Sequence, residues 1–192
     1  MVKAIIFDFF GVVGLSTYQI VADKCALSPD QRLGLKDVHK AFDKGFIDEK
    51  EFLQTYASTI NQPYDDFVKD FFMSKKRFEA SEPLLNYITE LKKTYKIALL
   101  SNVNQGAYKE FIVPYIGYFD EVMLSFQVNI AKPDEAIYEL IAQKMGLDVS
   151  ECIMVDDNYI NCQGAAAAGM QDILYKDFSD FKPKLLQCLN NV

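Results

Sequence analysis

Histidine is almost missing from this chain: His39 is the only one in 192 residues. A triad built on imidazole, or a histidine-rich metal site, is excluded unless that one ring falls in a cleft. A surface or cap position is the expectation for it. Cysteine is sparse as well. Cys25, Cys152, Cys162 and Cys188 are scattered with no CxxC pair, which points away from a disulfide framework or a zinc site and toward reduced thiols in a cytoplasmic protein. No apolar run approaches the roughly 18 residues of a membrane helix. No signal peptide is expected, because Lys3 is the only early cation and the apolar run after it is broken by Asp8. Cations are outnumbered, with 20 Lys and Arg against 27 Asp and Glu and a formal net charge of −7. A polyphosphate backbone repels a net anion, which argues against nucleic-acid binding. An anionic substrate would need local help from a metal ion, a lysine or helix N-termini.

Apolar residues, by contrast, make up half the chain, enough for one core domain and a small appendage. Five short β-like runs stand out, at 3–7, 96–100, 121–124, 152–155 and 172–175. Helical segments are expected at 105–115, interrupted or ended by Pro114, at 134–145, where Ile137, Leu140, Ile141 and Met145 follow helical spacing, and at 159–168. Gly146 and Gly169 offer stops for the latter two. The alternation predicts an α/β fold with a doubly wound parallel sheet. Residues 16–80 hold no convincing strand and show helical patterning around 18–26, 30–42, 48–59 and 64–73. A further helix near 82–94 leads into the second strand. The division expected is a core of residues 1–15 and 81–192 with a small α-helical cap domain, 16–80, inserted as a lid. The cap aromatics Phe42, Phe46 and Tyr56 are read as packing rather than a substrate-stacking surface, and the run from Phe67 to Phe72 is open to the same two readings.

Polar residues gather where four of these strands end. Asp8 closes the first run; Ser101 and Asn102 follow the second. Lys132 comes a short loop after the third, and Asp156 and Asp157 end the fourth. Parallel strands point the same way, so these clusters should meet at one sheet edge, the usual place for ligands in open α/β sheets. A carboxylate held there can act as nucleophile or metal ligand. Two adjacent acids such as Asp156 and Asp157 repel each other unless a cation lies beside them. Asn161, a helical turn beyond Asp157, can reach back to the same place.

The segments FDFFGVV at 7–13, LLSN at 99–102, AKPDEAIY at 131–138 and MVDDNYIN at 154–161 resemble, in order and spacing, the four motifs of the haloacid-dehalogenase-like (HAD) hydrolase superfamily. The likeness covers nearly the whole chain and is strongest to the branch of sugar-phosphate phosphatases and epoxide-hydrolase N-terminal domains. It implies a Rossmann-like core with a small helical cap after the first motif. It also implies an Mg²⁺-dependent hydrolase acting on a small phosphorylated metabolite through an aspartyl-phosphate intermediate, as a monomer or homodimer. Under it Asp8 is the nucleophile, while Asp8, Asp157 and the backbone carbonyl of Phe10 hold Mg²⁺. Ser101 and Asn102 bind phosphoryl oxygens, Lys132 balances charge on substrate and nucleophile, and Asp156 orients Lys132 or a metal-bound water.

One position departs from the pattern. Most phosphatases that the chain resembles carry a second aspartate two residues after the nucleophile, and here that residue is Phe10. General acid–base help is worth about 10²–10⁴ in rate. A phosphatase acting on esters with an acidic leaving hydroxyl, such as the anomeric position of a sugar, is the first reading. A catalytically idle binding or regulatory module is the second. A metal-independent 2-haloacid dehalogenase is the third: it would need a cap arginine, for which there are Arg32 and Arg77, and it lacks a metal-binding acid pair.

Overall fold

The computed structural model describes residues 1–15, 27–75 and 78–190. Strands β1 (Ala4–Phe7), β2 (Lys96–Ser101), β3 (Glu121–Leu124), β4 (Cys152–Asp156) and β5 (Gln171–Leu174) form one sheet in the order β3-β2-β1-β4-β5. Every pairing is parallel. The central strands read as continuous apolar runs because both faces are covered. Ile5, Phe7, Ile97, Leu99, Ile153 and Val155 enter one core, and Ala4, Ile6, Ala98, Leu100, Cys152 and Met154 enter the other. The expected doubly wound architecture is therefore present, and side-chain alternation along each strand produces it.

Helix α1 (Pro29–Asp43) opens on a capping box: the Gln31 amide donates to Ser28 Oγ at 3.2 Å, and the Ser28 amide donates to Gln31 Oε1 at 2.9 Å. Helix α2 (Glu49–Thr59) starts at Asp48, whose carboxylate accepts the Glu51 amide at 2.8 Å. With α3 (Tyr64–Lys75) these helices enclose a third core that contains Leu35, Phe42, Phe52, Tyr56, Phe67 and Phe71. Ring pairs Phe42–Phe52, at 4.3 Å, and Tyr56–Phe67, at 5.2 Å, stack there. His39 belongs to this unit and is not a free surface residue. Its ring lies 5.3 Å from Phe52 and 5.4 Å from Tyr56, and burial lowers its pKa to about 4. Packing accounts for Phe42, Tyr56, Phe67 and Phe71, but Phe46 is 65% exposed and departs from the packing expectation, and Phe72 is 43% exposed. The pattern at 18–26, and with it Cys25, lies outside the described residues, as does Arg77.

On the sheet, α4 (Glu82–Leu91) and α7 (Phe178–Asn190) supply Leu84, Ile88, Phe181 and Leu185 to the first core. Helices α5 (Glu135–Lys144) and α6 (Tyr159–Ala167) supply Ile137, Ile141 and Ala165 to the second. The helical turns expected at 105–115 are present and irregular: one turn at Gln105–Ala107 widens into a π-turn at Tyr108–Ile112 and tightens to 3₁₀ over Val113–Tyr118. Pro114 has no amide to continue the ladder. Helix α7 was not foreseen, because Pro183 sits inside it. No helix among the described residues is long and apolar enough to cross a membrane.

Candidate active site

The strand register does bring the four clusters together. Phe7 stands opposite Leu99 on one side and Val155 on the other, so Asp8 falls between the ends of β2 and β4. The Asp8 amide continues the ladder to the Val155 carbonyl at 2.9 Å. Carboxylate oxygens of Asp8, Asp156 and Asp157 lie within 4.8 Å of one another. Asp8 and Asp156 are buried. Asp157 is on the open side, its carboxylate end packed over Gly11. Gly11 has φ +87, and a Cβ built on it would collide with that carboxylate. The turn after β1 therefore needs glycine twice over, for backbone conformation and for room.

Lys132 reaches into this acidic group from the loop after β3. Its side chain is fully buried, with Nζ 2.9 Å from Asp8 Oδ1 and 2.6 Å from Asp156 Oδ2. Burial alone would lower the ammonium pKa, but Asp156 and Asp8 outweigh it and hold the group above its ordinary value, so it stays charged. Asp156 Oδ1 accepts the Asn158 amide at 2.8 Å, and Asn161 Nδ2 lies 3.1 Å from each carboxylate oxygen. Asn161 thus does reach back, and it does so to Asp156. Burial pushes the Asp8 carboxyl up to about 7, with Lys132 opposing and Asp156 and Asp157 adding to the rise. Burial and then Asp156 push Asp157 up to about 6. A site that raises two carboxyls while keeping them clustered suits a divalent cation, which stabilises their charged forms.

Ser101 Oγ is fully buried at the end of β2 and has no hydrogen-bond partner among the described residues. A buried hydroxyl without a partner keeps its hydrogen-bonding capacity unspent. Asn102 has a partner that the sequence reading does not name. Its Nδ2 donates to the Lys132 carbonyl and its Oδ1 accepts the Lys132 amide, both at 2.9 Å, so it clasps the lysine's own peptide. The carbonyl of Phe10 accepts no backbone hydrogen bond from the described residues, whereas that of Phe9 accepts three. The Phe10 ring packs on Phe9 (5.1 Å), Phe111 (6.1 Å) and Phe78 (6.3 Å). Arg32 donates Nε to the Leu27 carbonyl at 3.2 Å.

Three contributors were not read from the sequence. Ser125, buried just past β3, accepts the Val103 amide at 2.9 Å; it sits at a strand end as Ser101 does, and that position was its signal. Tyr138 donates to the Asn161 carbonyl at 2.7 Å. Gly164 lets α6 approach the Lys132 loop, since a Cβ there would stand 2.5 Å from the Pro133 carbonyl oxygen. The Lys132–Pro133 peptide is cis.

A family profile of haloacid dehalogenase-like hydrolases matches residues 2–169. The chain belongs to this family. Among known proteins, this hydrolase is 28% identical over its whole length to a D-ribitol-5-phosphate phosphatase of Bacteroides thetaiotaomicron, also covered in full. Its fold matches a HAD-like family hydrolase of Porphyromonas gingivalis with a TM-score of 0.75 at 23% identity, over 98% of each chain. It also matches a HAD-family enzyme of Bacteroides thetaiotaomicron solved with magnesium and inorganic phosphate, with a TM-score of 0.73 at 22% identity over 96% of this chain and 99% of that one. As a HAD-like hydrolase it carries an aromatic ring at position 10, and that ring belongs to a packed aromatic cluster.

Proposed function

We propose that this hydrolase is an Mg²⁺-dependent phosphomonoesterase acting on a small phosphorylated metabolite of the sugar-phosphate type. The observation that carries the reading is the convergence of Asp8, Asp156 and Asp157 on buried Lys132 at the C-terminal sheet edge. The ribitol-phosphate phosphatase of similar length supports the substrate class. We assign Asp8, Asp157 and the Phe10 carbonyl to hold the cation. When bound, Mg²⁺ would lower the charge of the acidic group and polarise a phosphoryl oxygen.

The chain's own groups divide the remaining work. The polar contacts of the Asp8 carboxylate, from the Phe9 amide at 2.7 Å and Lys132 at 2.9 Å, fall on Oδ1. Oδ2 is therefore the oxygen we assign to attack phosphorus, forming an Oδ2–P bond as the ester P–O bond breaks. Water then hydrolyses the acyl phosphate and restores the carboxylate. Ser101 Oγ would donate to a phosphoryl oxygen, and Lys132 would offset the charge gathered on nucleophile and phosphate. Asp156, held by Asn158 and Asn161, would keep Lys132 aimed. Residues 16–80 would cap the site. A monomer or homodimer in the cytoplasm completes the reading.

Phe10 cannot protonate the departing oxygen, so esters of acidic hydroxyls should be favoured. Purified protein with Mg²⁺ is expected to hydrolyse p-nitrophenyl phosphate or a sugar 1-phosphate. Phe10→Asp should raise alkyl-phosphate turnover relative to aryl-phosphate turnover by about 10–10², at some loss of stability from the aromatic cluster. An unchanged alkyl-to-aryl ratio would remove the missing acid as the explanation. No turnover of any phosphate by a folded protein would favour the idle module, and metal-free halide release from 2-haloacids would favour the dehalogenase.

Cation binding should also be proton-linked. Asp8 titrates near 7 and Asp157 near 6 without metal. Below those values a cation must displace protons, so affinity should rise with pH between about 5.5 and 7.5, by up to about tenfold per unit for each proton released. Titration calorimetry with Mg²⁺ in buffers of different ionisation enthalpy would measure the protons. A pH-independent affinity would contradict the assignment.

A further inference from the structure

The end of α1 docks on the α/β unit at the edge that holds the acidic cluster. The Asp43 carbonyl accepts from Ser125 Oγ, the hydroxyl that also binds the Val103 amide. Lys44 Nζ meets Asp134 Oδ2 at 2.8 Å. Gly45, at φ +74, would place a Cβ 3.6 Å from that of Phe126. Two of these seats adjoin residues assigned above. Val103 lies two positions past Ser101, and Asp134 lies two positions past Lys132.

Asp134 is the N-cap residue of α5, yet its side chain makes no capping hydrogen bond. The carboxylate is turned instead to the helical unit, where Lys44 holds one oxygen and Lys40 approaches the other at 3.5 Å. The two lysines differ in setting: the Lys44 side chain is 15% exposed and that of Lys40 47%. A shielded pair in hydrogen-bond contact is stronger than an open one at longer range. Asp134 in turn closes a tight turn around Lys132, because its amide donates to the Ala131 carbonyl at 3.0 Å. Lys132 is thus restrained from three sides: its ammonium by Asp8 and Asp156, its peptide by Asn102, and its turn by Asp134.

We propose that Lys44 is a positioning residue for the reaction, holding the Ala131–Asp134 turn through Asp134 so that Lys132 stays in register when the helical unit is seated on the site. The proposal rests on the phosphatase reading only for the role given to Lys132; the pairing itself can be tested without turnover. Lys40 and Lys44 both join the helical unit to the lysine loop at Asp134, and Lys44 is the shielded one of the two, in hydrogen-bond contact. The Asp43 carbonyl and the Gly45 backbone complete the seat, so Lys44 is where a side-chain change should weaken it most.

The test compares Lys44→Met, Lys44→Arg and Lys40→Met with the wild type. Amide hydrogen exchange of residues 131–134 should accelerate about 10-fold in Lys44→Met, since a local restraint is lost without global unfolding. With p-nitrophenyl phosphate and Mg²⁺, Lys44→Met should lose about 10-fold in kcat with KM within about twofold, because the misplaced group acts after binding. Lys44→Arg should recover most of both effects, and Lys40→Met should change each by less than about twofold. Unaltered exchange in Lys44→Met would overturn the proposal. So would a loss confined to KM, which would make Lys44 a substrate contact. If wild-type protein turns over no phosphate, the phosphatase reading fails, and the exchange data still decide whether Lys44 holds the turn.

Discussion

Asp8→Asn is expected to abolish phosphate-ester turnover, by about 10⁴-fold or more, while making the metal-free protein harder to unfold at neutral pH. The loss follows from chemistry: an amide oxygen at the end of β1 is a poor nucleophile and cannot carry the acyl phosphate through hydrolysis. The gain follows from linkage. The folded-state pKa of Asp8 is raised to about 7 from an ordinary 3.8, with burial the first cause. A carboxyl whose pKa is raised by folding contributes most below its unfolded value, and that contribution disappears as pH rises through its folded value. At pH 8 the wild type therefore carries the full cost of an ionised, buried Asp8, and asparagine does not. Thermal unfolding in chelator at pH 5 and pH 8 should show the variant's advantage growing with pH, and saturating Mg²⁺ should shrink it by stabilising only the wild type. Equal melting temperatures at both pH values would refute the linkage, and residual turnover near the wild-type rate would refute the nucleophile.

Lys132→Met should cost about 3–5 kcal/mol at pH 8, since it leaves two buried carboxylates without their shared cation. The side chains of Lys132 and Asp156 are completely inaccessible, and that of Asp8 is 11% exposed. Methionine fills much of the volume but offers no charge. Asp156 would still be held by Asn158 and Asn161, so the larger part of the penalty should be relieved by protonating Asp8. Lys132 is one of the groups that hold the Asp8 carboxyl down to about 7, so in the variant it titrates higher; the deficit should shrink as pH falls toward about 7 and change little below it, and Asp8→Asn introduced into Lys132→Met should recover part of it. Urea unfolding of the four corners of this cycle would measure the coupling. A methionine variant as stable as the wild type at pH 8 would show that the ammonium is not what holds the two acids together. Turnover should be lost in this variant as well.

The sheet was legible because its strands are buried on both faces and read as short apolar runs closed by polar residues. The same feature made the site legible: with parallel strands, Asp8, Ser101, Lys132 and Asp156 had to share an edge, and the register puts them there. What the sequence could not convey was how the polar groups divide their partners. Asn102 was read as a donor to substrate; its clasp on the Lys132 peptide, which takes one of its two amide N–H groups, was not read. Nothing local to residues 99–102 encodes a partner thirty positions away. Gly164 is equally mute, since its need for hydrogen over methyl exists only once α6 lies against Pro133. Phe46 was misread because apolar character alone does not distinguish a core ring from one left at the surface. Helix α7 was missed because a proline in its second turn disguised the pattern.

The Asn102 clasp separates two duties that a buried lysine usually performs together. The Asn102 side chain grips the main chain of residue 132, so the loop keeps one fastening that does not depend on the ammonium. Shape and electrostatics at the heart of the molecule can then be varied one at a time: longer, shorter or neutral side chains tried at 132 would start from the same anchored spot.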